Sequence, residues 1–140
     1  VLEHQGCAAA GDRVMGMLKN CGGAGFVTDG PMRDYAGLIE VGLPAWCTGL
    51  TPASPFTKGP ATVGLPINIG GQRVESGDII VADTDGVVVV PHSKIDLVIE
   101  RLSHIADLEY SLDAEVRKGL KIPDPVKEMI LEDNVNFVDD

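Results

Sequence analysis

The first fifty residues alternate between strand patterns and helix patterns. The stretches VLEHQG, AGFVTDG and LPAWCTG are predicted strands, each followed by a turn or a loop. Between them, AAAGDRVMGMLKNCGG is a predicted amphipathic helix with Asp12 as its N-cap, and RDYAGLIEVG is a second short helix that ends at Gly42. Because strands that are joined through helices pair in parallel, this segment is predicted to be an α/β arrangement with helices packed on a sheet.

The middle of the chain follows a different pattern. The stretch ATVGLPINIGGQRVESGDIIVADTDGVVVVP contains short β-branched runs that are separated by glycine-containing turns. The pair Asp85 and Gly86 is the strongest hairpin signal among them. Pro66 places its own strand at an edge or at a bulge, because proline cannot donate to the ladder.

A long helix is predicted from Ser93 to about Gly119, because Ser93 and Asp96 stand at capping-box spacing and apolar residues then recur in steps of three and four. The apolar positions are Ile95, Val98, Leu102, Ile105, Leu112 and Val116. Glu109 interrupts this series. The acid is compatible with an exposed end of the helix or with a salt bridge between subunits. After Gly119, the tail is predicted to add one or two helical turns from Pro125.

Composition limits the class of protein. The chain has 140 residues, of which 44% are hydrophobic and 23% are charged, as expected of one globular unit. Eleven basic and 21 acidic residues give a net charge of -10, which disfavours nucleic acid and anionic membranes as partners. The apolar stretches are too short to span a bilayer, and the 3 cysteines lack the spacing of a zinc site or a disulfide framework. A cytoplasmic protein is expected, and the strand pattern at Val1 leads us to expect further residues upstream.

Four residues are candidates for chemistry. Asp12 stands at a predicted helix start, Arg33 and Asp34 follow a predicted strand and turn, and Glu109 interrupts the apolar stripe. In α/β folds, ligands gather beyond the carboxyl ends of the strands, where helix N-termini also point. Asp12 and Asp34 are both expected there, and their carboxylates suit Mg²⁺ or Mn²⁺.

The same region offers donors for an anionic ligand. Arg33 has a planar set of N–H groups for a carboxylate or an enolate oxygen. The backbone N–H groups of Arg13 and Val14, at the start of the first helix, suit a second anionic group. Together these residues suit a small keto acid. Local spacing alone favours ordinary roles, with Asp12 as an N-cap and with Arg33 and Asp34 as a surface ion pair.

The segments GFVTDGPMRD, GLPAWCTGLTPASP and GDIIVADTDGVVVVP occur in this order along the chain. They resemble the segments that mark the regulator of ribonuclease activity A-like family, and the similarity runs from Val1 to about Gly119. This family includes class II pyruvate aldolases that act on 4-hydroxy-4-methyl-2-oxoglutarate and 4-carboxy-4-hydroxy-2-oxoadipate. The resemblance implies a layered β/β/α sandwich of the swivelling-domain type over residues 1–119, a tail over residues 120–140, and assembly as a homotrimer or homohexamer.

The resemblance also implies roles for individual residues. Aldolase members carry an Asp that twenty residues separate from an Arg-Asp pair, and Asp12 with Arg33 and Asp34 fits that spacing. Asp34 would hold the divalent metal, Mg²⁺ or Mn²⁺, Arg33 would stabilise the pyruvate enolate, and Asp12 would help position the water that moves the proton. Glu109 aligns with a carboxylate that reaches the outer shell of a neighbouring subunit's metal.

One position departs from the family pattern. The family often carries an acid three residues after the second aspartate, where this chain has Gly37, so an outer-shell carboxylate is either absent or replaced by Glu40. The expected function is a metal-dependent lyase that releases pyruvate by retro-aldol cleavage and that would also decarboxylate oxaloacetate. The alternative is a non-catalytic regulator that binds a ribonuclease or another protein.

Overall fold

The structure, a computed structural model, describes residues 6–55 and 59–131 of the chain. The chain divides into two compact units, Val1–Ile95 and Asp96–Asp140. The first predicted strand falls almost wholly on residues 1–5, which lie outside the described residues. The division into a domain over residues 1–119 and a tail stays a prediction. Within the described ranges, none of the helices combines the length and the hydropathy that crossing a membrane requires.

Both predicted helices of the first unit are confirmed. The first, α1, spans Asp12–Asn20, and the second, α2, spans Tyr35–Val41. The predicted N-cap of α1 is wrong by one residue, because Gly11 is the cap and Asp12 is the first helical residue. Gly11 is buried against the segment that precedes α2, where a larger residue would not fit.

The parallel pairing predicted for the first unit is also confirmed. Strand β1 (Phe26–Val27) pairs in parallel with β2 (Ala45–Trp46), and α2 lies between them in the chain. Both strands are two residues long, which is shorter than the predicted runs. The buried core of this unit consists of Ala10, Met15, Met32 and Leu43, with Leu18, Phe26, Leu38 and Val41 packed against it. The core therefore joins α1, α2 and β1.

The glycine-containing turns of the middle segment form the predicted hairpins. The strands are β3 (Ile67–Ile69) with β4 (Gln72–Val74), and β5 (Ile79–Ala82) with β6 (Val87–Val90), both antiparallel. Gly70 and Gly71 form the first turn, with φ of 54° and 78°, which explains why both positions are glycine. In the second turn, Oδ1 of Asp83 accepts hydrogen bonds from the N–H groups of Asp85 at 2.8 Å and Gly86 at 3.2 Å.

The predicted long helix begins two residues later than expected. A 3-10 turn, His92–Lys94, precedes α3, which spans Ile95–Arg117. None of the residues of α3 is buried, and Glu109 is exposed on it. A last helix, α4 (Asp124–Ile130), has Pro125 in its first turn, as the tail pattern predicted. The mixed α/β content and the long C-terminal helix agree with the predicted fold class.

Candidate functional site

The backbone around Arg33 is held on both sides. Its N–H donates to the carbonyl oxygen of Ala10 at 3.1 Å. The neighbouring Met32, which is fully buried, donates to the carbonyl of Gly49 and accepts from the N–H of Thr51, both at 2.9 Å. These bonds fix the point from which the side chains of Arg33 and the following aspartate leave the backbone.

Two glycines each leave room for an acid of the other helix: Gly11, before α1, for Asp34, and Gly37, in α2, for Asp12. A Cβ atom on Gly11 would lie 2.5 Å from Oδ2 of Asp34 and 3.0 Å from Cγ of Arg33. A Cβ atom on Gly37 would lie 2.5 Å from Oδ2 of Asp12. Non-bonded carbon and oxygen atoms do not approach so closely, so the starts of α1 and α2 can only meet in this way if both positions are glycine. The structure thus places Asp12 against α2, and places Arg33 and Asp34 against the residue that precedes α1.

Asp34 has a backbone conformation that aspartate adopts only at some cost. Its φ and ψ are 62° and 45°, and it is the one non-glycine residue with positive φ in the described part of the chain. Asp34 occupies the N-cap position of α2, yet its side chain makes no capping hydrogen bond. The carboxylate lies instead against Gly11 and beside the guanidinium of Arg33, with Nε and Oδ2 3.2 Å apart. The Asp34 side chain is therefore not a cap, and it forms with Arg33 the ion pair that local spacing favoured. Its strained backbone is the further feature, and such strain commonly marks a functional position.

Arg33 is oriented by its neighbours but keeps donors for a ligand. Its Nη1 donates to Oγ of Ser54 at 2.8 Å. Its Nε is buried and makes no well-aligned hydrogen bond to a described residue, although Oδ2 of Asp34 is 3.2 Å away. The contact with Asp34 is thus an ion pair and not a hydrogen bond, because an ion pair tolerates an N–H···O angle that a hydrogen bond does not. A buried N–H group in this state is stabilised by an acceptor oxygen from a ligand or from water.

A cavity of about 370 Å³ opens beside the start of α1. Asp12 and Glu40 both line it, so Glu40, the expected substitute for an acid at position 37, shares this space with Asp12. The N–H of Arg13 donates to Oδ1 of Asp12 at 2.6 Å. That N–H is occupied by the neighbouring carboxylate, and its role as a donor to an anion stays a prediction. Val14 follows in the first turn of α1, and its side chain is exposed.

The residues present fit one mode of divalent-metal binding. Among the residues that the structure describes, no three His, Cys, Asp or Glu side chains are grouped closely enough to enclose a metal ion. Mg²⁺ often binds through only one or two carboxylates and keeps several waters. Asp34 suits that mode, because its side chain is 45% exposed and is not used as a cap. Glu109 belongs to the second unit, and its role at a neighbouring subunit's metal stays a prediction.

Sequence reasoning missed two features of this site. Gly11 carries no functional signal in the sequence, although its missing side chain is what admits Asp34. Ser54 likewise has no signal of its own, although it orients Arg33. The segment GLPAWCTGLTPASP contains Ser54 and carries part of the family resemblance, so the only signal for this serine was its place in a marked segment.

Comparison with known families and structures identifies the family of this chain. Residues 1–89 match the family described as "RraA-like: Aldolase/RraA", and the chain belongs to this family, as the resemblance indicated. A solved structure of an uncharacterised protein from Pseudomonas syringae pv. tomato is 26% identical, with a TM-score of 0.75 over 84% of this chain and 60% of that one. RraAS2 from Streptomyces coelicolor, described as an unusual member of the RNase ES inhibitor RraA protein family, is 36% identical, with a TM-score of 0.66 over 82% and 57% of the two chains. The predicted family fold is thereby confirmed.

Several curated relatives carry the name of an enzyme. A protein of Halalkalibacterium halodurans called "Putative 4-hydroxy-4-methyl-2-oxoglutarate aldolase" is 40% identical over 94 residues, which cover 67% of this chain and 45% of that protein. A similarly named protein of Arabidopsis thaliana is 32% identical over 93 residues, which cover 66% of this chain and 54% of that protein. The chain thus spans about half the length of these curated relatives.

Proposed function

We propose that the protein is a divalent-metal-dependent lyase that cleaves 4-hydroxy-4-methyl-2-oxoglutarate and related 2-keto acids to pyruvate. The observation that carries this proposal is the left-handed Asp34, whose carboxylate lies beside Arg33 instead of capping α2. The aldolase names of the relatives support the same reaction. A carboxylate and a guanidinium that are held side by side suit a substrate whose reacting end is a keto acid.

The proposed reaction is a retro-aldol cleavage. A base removes the proton of the C4 hydroxyl, the bond between C3 and C4 breaks, and its electron pair passes into the enolate of pyruvate, which is then protonated at C3. Mg²⁺ or Mn²⁺, held by Asp34, would supply positive charge near the keto acid oxygens. Arg33 donates to the oxygen on which negative charge develops, and this interaction is stronger in the transition state than in the substrate. Asp12, at the start of α1, helps to position the water that moves the proton.

The same residues would decarboxylate oxaloacetate. Loss of carbon dioxide from oxaloacetate leaves the enolate of pyruvate, so the stabilisation that Arg33 gives to the retro-aldol reaction serves this reaction as well. We therefore include oxaloacetate decarboxylation in the proposed activity.

The test is pyruvate release by the full-length protein with Mg²⁺ or Mn²⁺, followed through the oxidation of NADH by lactate dehydrogenase. Cleavage of 4-hydroxy-4-methyl-2-oxoglutarate should yield two pyruvate molecules, and EDTA should abolish it until the metal is restored. Arg33→Ala should lose activity, and Arg73→Ala is the matched control, since Arg73 pairs with Glu75 in an exposed hairpin. Wild-type protein that releases no pyruvate with either metal, or Arg33→Ala that is fully active, contradicts the proposal.

We also propose that the protein acts as a homotrimer or hexamer in which Glu109 reaches a neighbouring subunit's site. Glu109 is exposed on α3, and it interrupts an otherwise apolar series. Glu109→Gln should lower metal-dependent turnover while light scattering shows an unchanged oligomer. Dissociation of the oligomer would instead assign Glu109 a structural role, and Glu115→Gln on the same helix serves as the control.

A second candidate is a non-catalytic regulator of a ribonuclease. The titles of two structural neighbours support it, since RraAS2 is assigned to an RNase ES inhibitor family and a protein from Thermus is called an RNA-processing inhibitor. The net charge of -10 suits binding to a basic protein surface. Two assays of Arg33→Ala distinguish the lyase from the ribonuclease regulator. If the protein is a lyase, the variant should lose pyruvate release, whereas inhibition of RNase ES should be the same in the variant and the wild type.

A further inference from the structure

Position 37 in α2 and the side chain of Asp12 compete for the same volume. A Cβ atom on Gly37 would lie 2.5 Å from Oδ2, 2.7 Å from Cβ and 3.0 Å from Cγ of Asp12. Carbon atoms in good contact are about 3.5–4.0 Å apart, so all three contacts are repulsive. The side chain of Asp12 therefore stands where a side chain at position 37 would begin.

Rotation of the Asp12 side chain does not resolve this conflict. A change of χ1 moves Cγ and Oδ2, but Cβ is fixed to the backbone of α1 and would stay 2.7 Å from the added atom. Even the smallest side chain at position 37 thus requires the start of α1 to shift away from α2. Gly16, another helical glycine beside the same cavity, lacks this conflict, since a Cβ there would meet only Cγ2 of Val41 at 4.0 Å.

We propose that Gly37 is a positioning residue for Asp12: its missing side chain is what places the Asp12 carboxylate against α2. Gly37 is then not a lost carboxylate, as the sequence pattern suggested, because its volume is filled by the acid of α1. This inference rests on the proposed function for its catalytic consequence, whereas the packing relation between the two positions is independent of that function. A displacement of about 1 Å at a catalytic group costs on the order of 100-fold in rate.

The packing relation is tested by a double-mutant cycle on stability with Gly37→Ala, Asp12→Gly and the double variant. Gly37→Ala should lower the urea midpoint, although alanine is the better helix former, and Gly16→Ala should raise it or leave it unchanged. The double variant should regain most of what Gly37→Ala loses, since Asp12→Gly removes all three conflicting atoms. Gly37→Ala that is as stable as Gly16→Ala, or strictly additive effects in the double variant, would overturn the inference.

The catalytic consequence is tested in the full-length protein by steady-state kinetics and by calorimetric titration with Mn²⁺. Gly37→Ala should lower kcat roughly 100-fold with little change in KM, and should keep its affinity for Mn²⁺, because Asp34 lies against the other glycine. The double variant should recover stability without recovering kcat, since it has no carboxylate at position 12. Equal losses of kcat and of Mn²⁺ affinity would indicate general disruption and overturn the positioning role. Wild-type protein that releases no pyruvate would overturn the proposed function, and the stability cycle would still decide the packing relation.

Discussion

Asp34 combines a strained backbone with a carboxylate that does not cap its helix, and two substitutions separate these properties. Asp34→Gly removes the carboxylate and adopts a φ of 62° without strain. Asp34→Ala removes the carboxylate and keeps a Cβ atom in the left-handed conformation. We expect both variants to lose pyruvate release and to differ from each other in stability.

The expected difference in stability follows from the geometry. A left-handed conformation costs an L-residue about 1 kcal/mol relative to glycine. The ion pair with Arg33 contributes at most about 1 kcal/mol, because the two side chains are 34% and 45% exposed, and both variants lose it. Asp34→Gly should therefore be more stable than Asp34→Ala by about 1 kcal/mol, which is a factor of about five in the folding equilibrium.

Urea unfolding followed by circular dichroism measures this difference, and the lactate dehydrogenase assay measures activity. Gly42→Ala is a control at the other end of α2, where φ is 63°, and it should cost about 1 kcal/mol and keep full activity. Equal stability of Asp34→Gly and Asp34→Ala would refute the backbone strain. Undiminished pyruvate release by Asp34→Gly would refute the functional carboxylate and would leave Arg33 and Asp34 as an ordinary surface ion pair.

Four substitutions at three residues test the site and the surroundings of the second hairpin. Arg33→Ala should lower kcat/KM by about 100-fold to 1000-fold. Arg33→Lys should recover only part of this loss, because lysine lacks the planar set of N–H donors. Activity near wild type in either variant would contradict the role of the guanidinium. Asp83→Ala should lower the free energy of unfolding, measured in urea, by about 1 kcal/mol, because the Asp83 carboxylate accepts hydrogen bonds from two backbone N–H groups of the turn. An unchanged urea midpoint would show that the turn does not depend on these two hydrogen bonds. Hydrogen bonds from the backbone N–H of Glu75, and to a smaller extent from that of His92, lower the pKa of Asp78 below its usual range. The ionised Asp78 therefore stabilises the folded state above the unfolded pKa of about 4, and this stabilisation is lost as the pH falls through the folded pKa. Asp78→Asn should flatten that acid-side decline in the urea midpoint, and an identical pH profile in the variant would count against it.

Sequence patterns predicted those elements whose causes are local. Two adjacent glycines, Gly70 and Gly71, supply the positive φ angles of a two-residue turn, and the hairpin lies where the pattern placed it. Gly42 ends α2 in the left-handed conformation, as expected of a glycine after a helix. In both cases the glycine itself adopts the backbone conformation that the turn or the helix end requires. The local sequence is therefore sufficient to predict the element without the tertiary structure.

The start of α1 shows where local reasoning fails. Asp12 has the side chain of a good N-cap, yet Gly11 takes that position. Arg33 and Asp34, more than twenty residues away, leave no room for a side chain at position 11 and so require a glycine there. Local reasoning cannot detect this requirement, because the residues that impose it lie in another segment of the chain.

The stretch TDGPMRD shows why spacing could point to a candidate site but could not give its geometry. Thr28 accepts the N–H of Gly30 through Oγ1 at 3.0 Å, and Thr28, Gly30, Pro31 and Met32 are all buried. A turn that is fixed in this way projects the next two side chains, Arg33 and Asp34, from one defined place, and the sequence shows this as apolar and turn residues followed by two charges. The left-handed backbone of Asp34 cannot be inferred from that pattern, because a capping aspartate would have given the same letters. Asp34 differs from a capping aspartate in the direction of its carboxylate. The carboxylate makes no capping hydrogen bond to α2 and lies against Gly11, the residue that precedes α1.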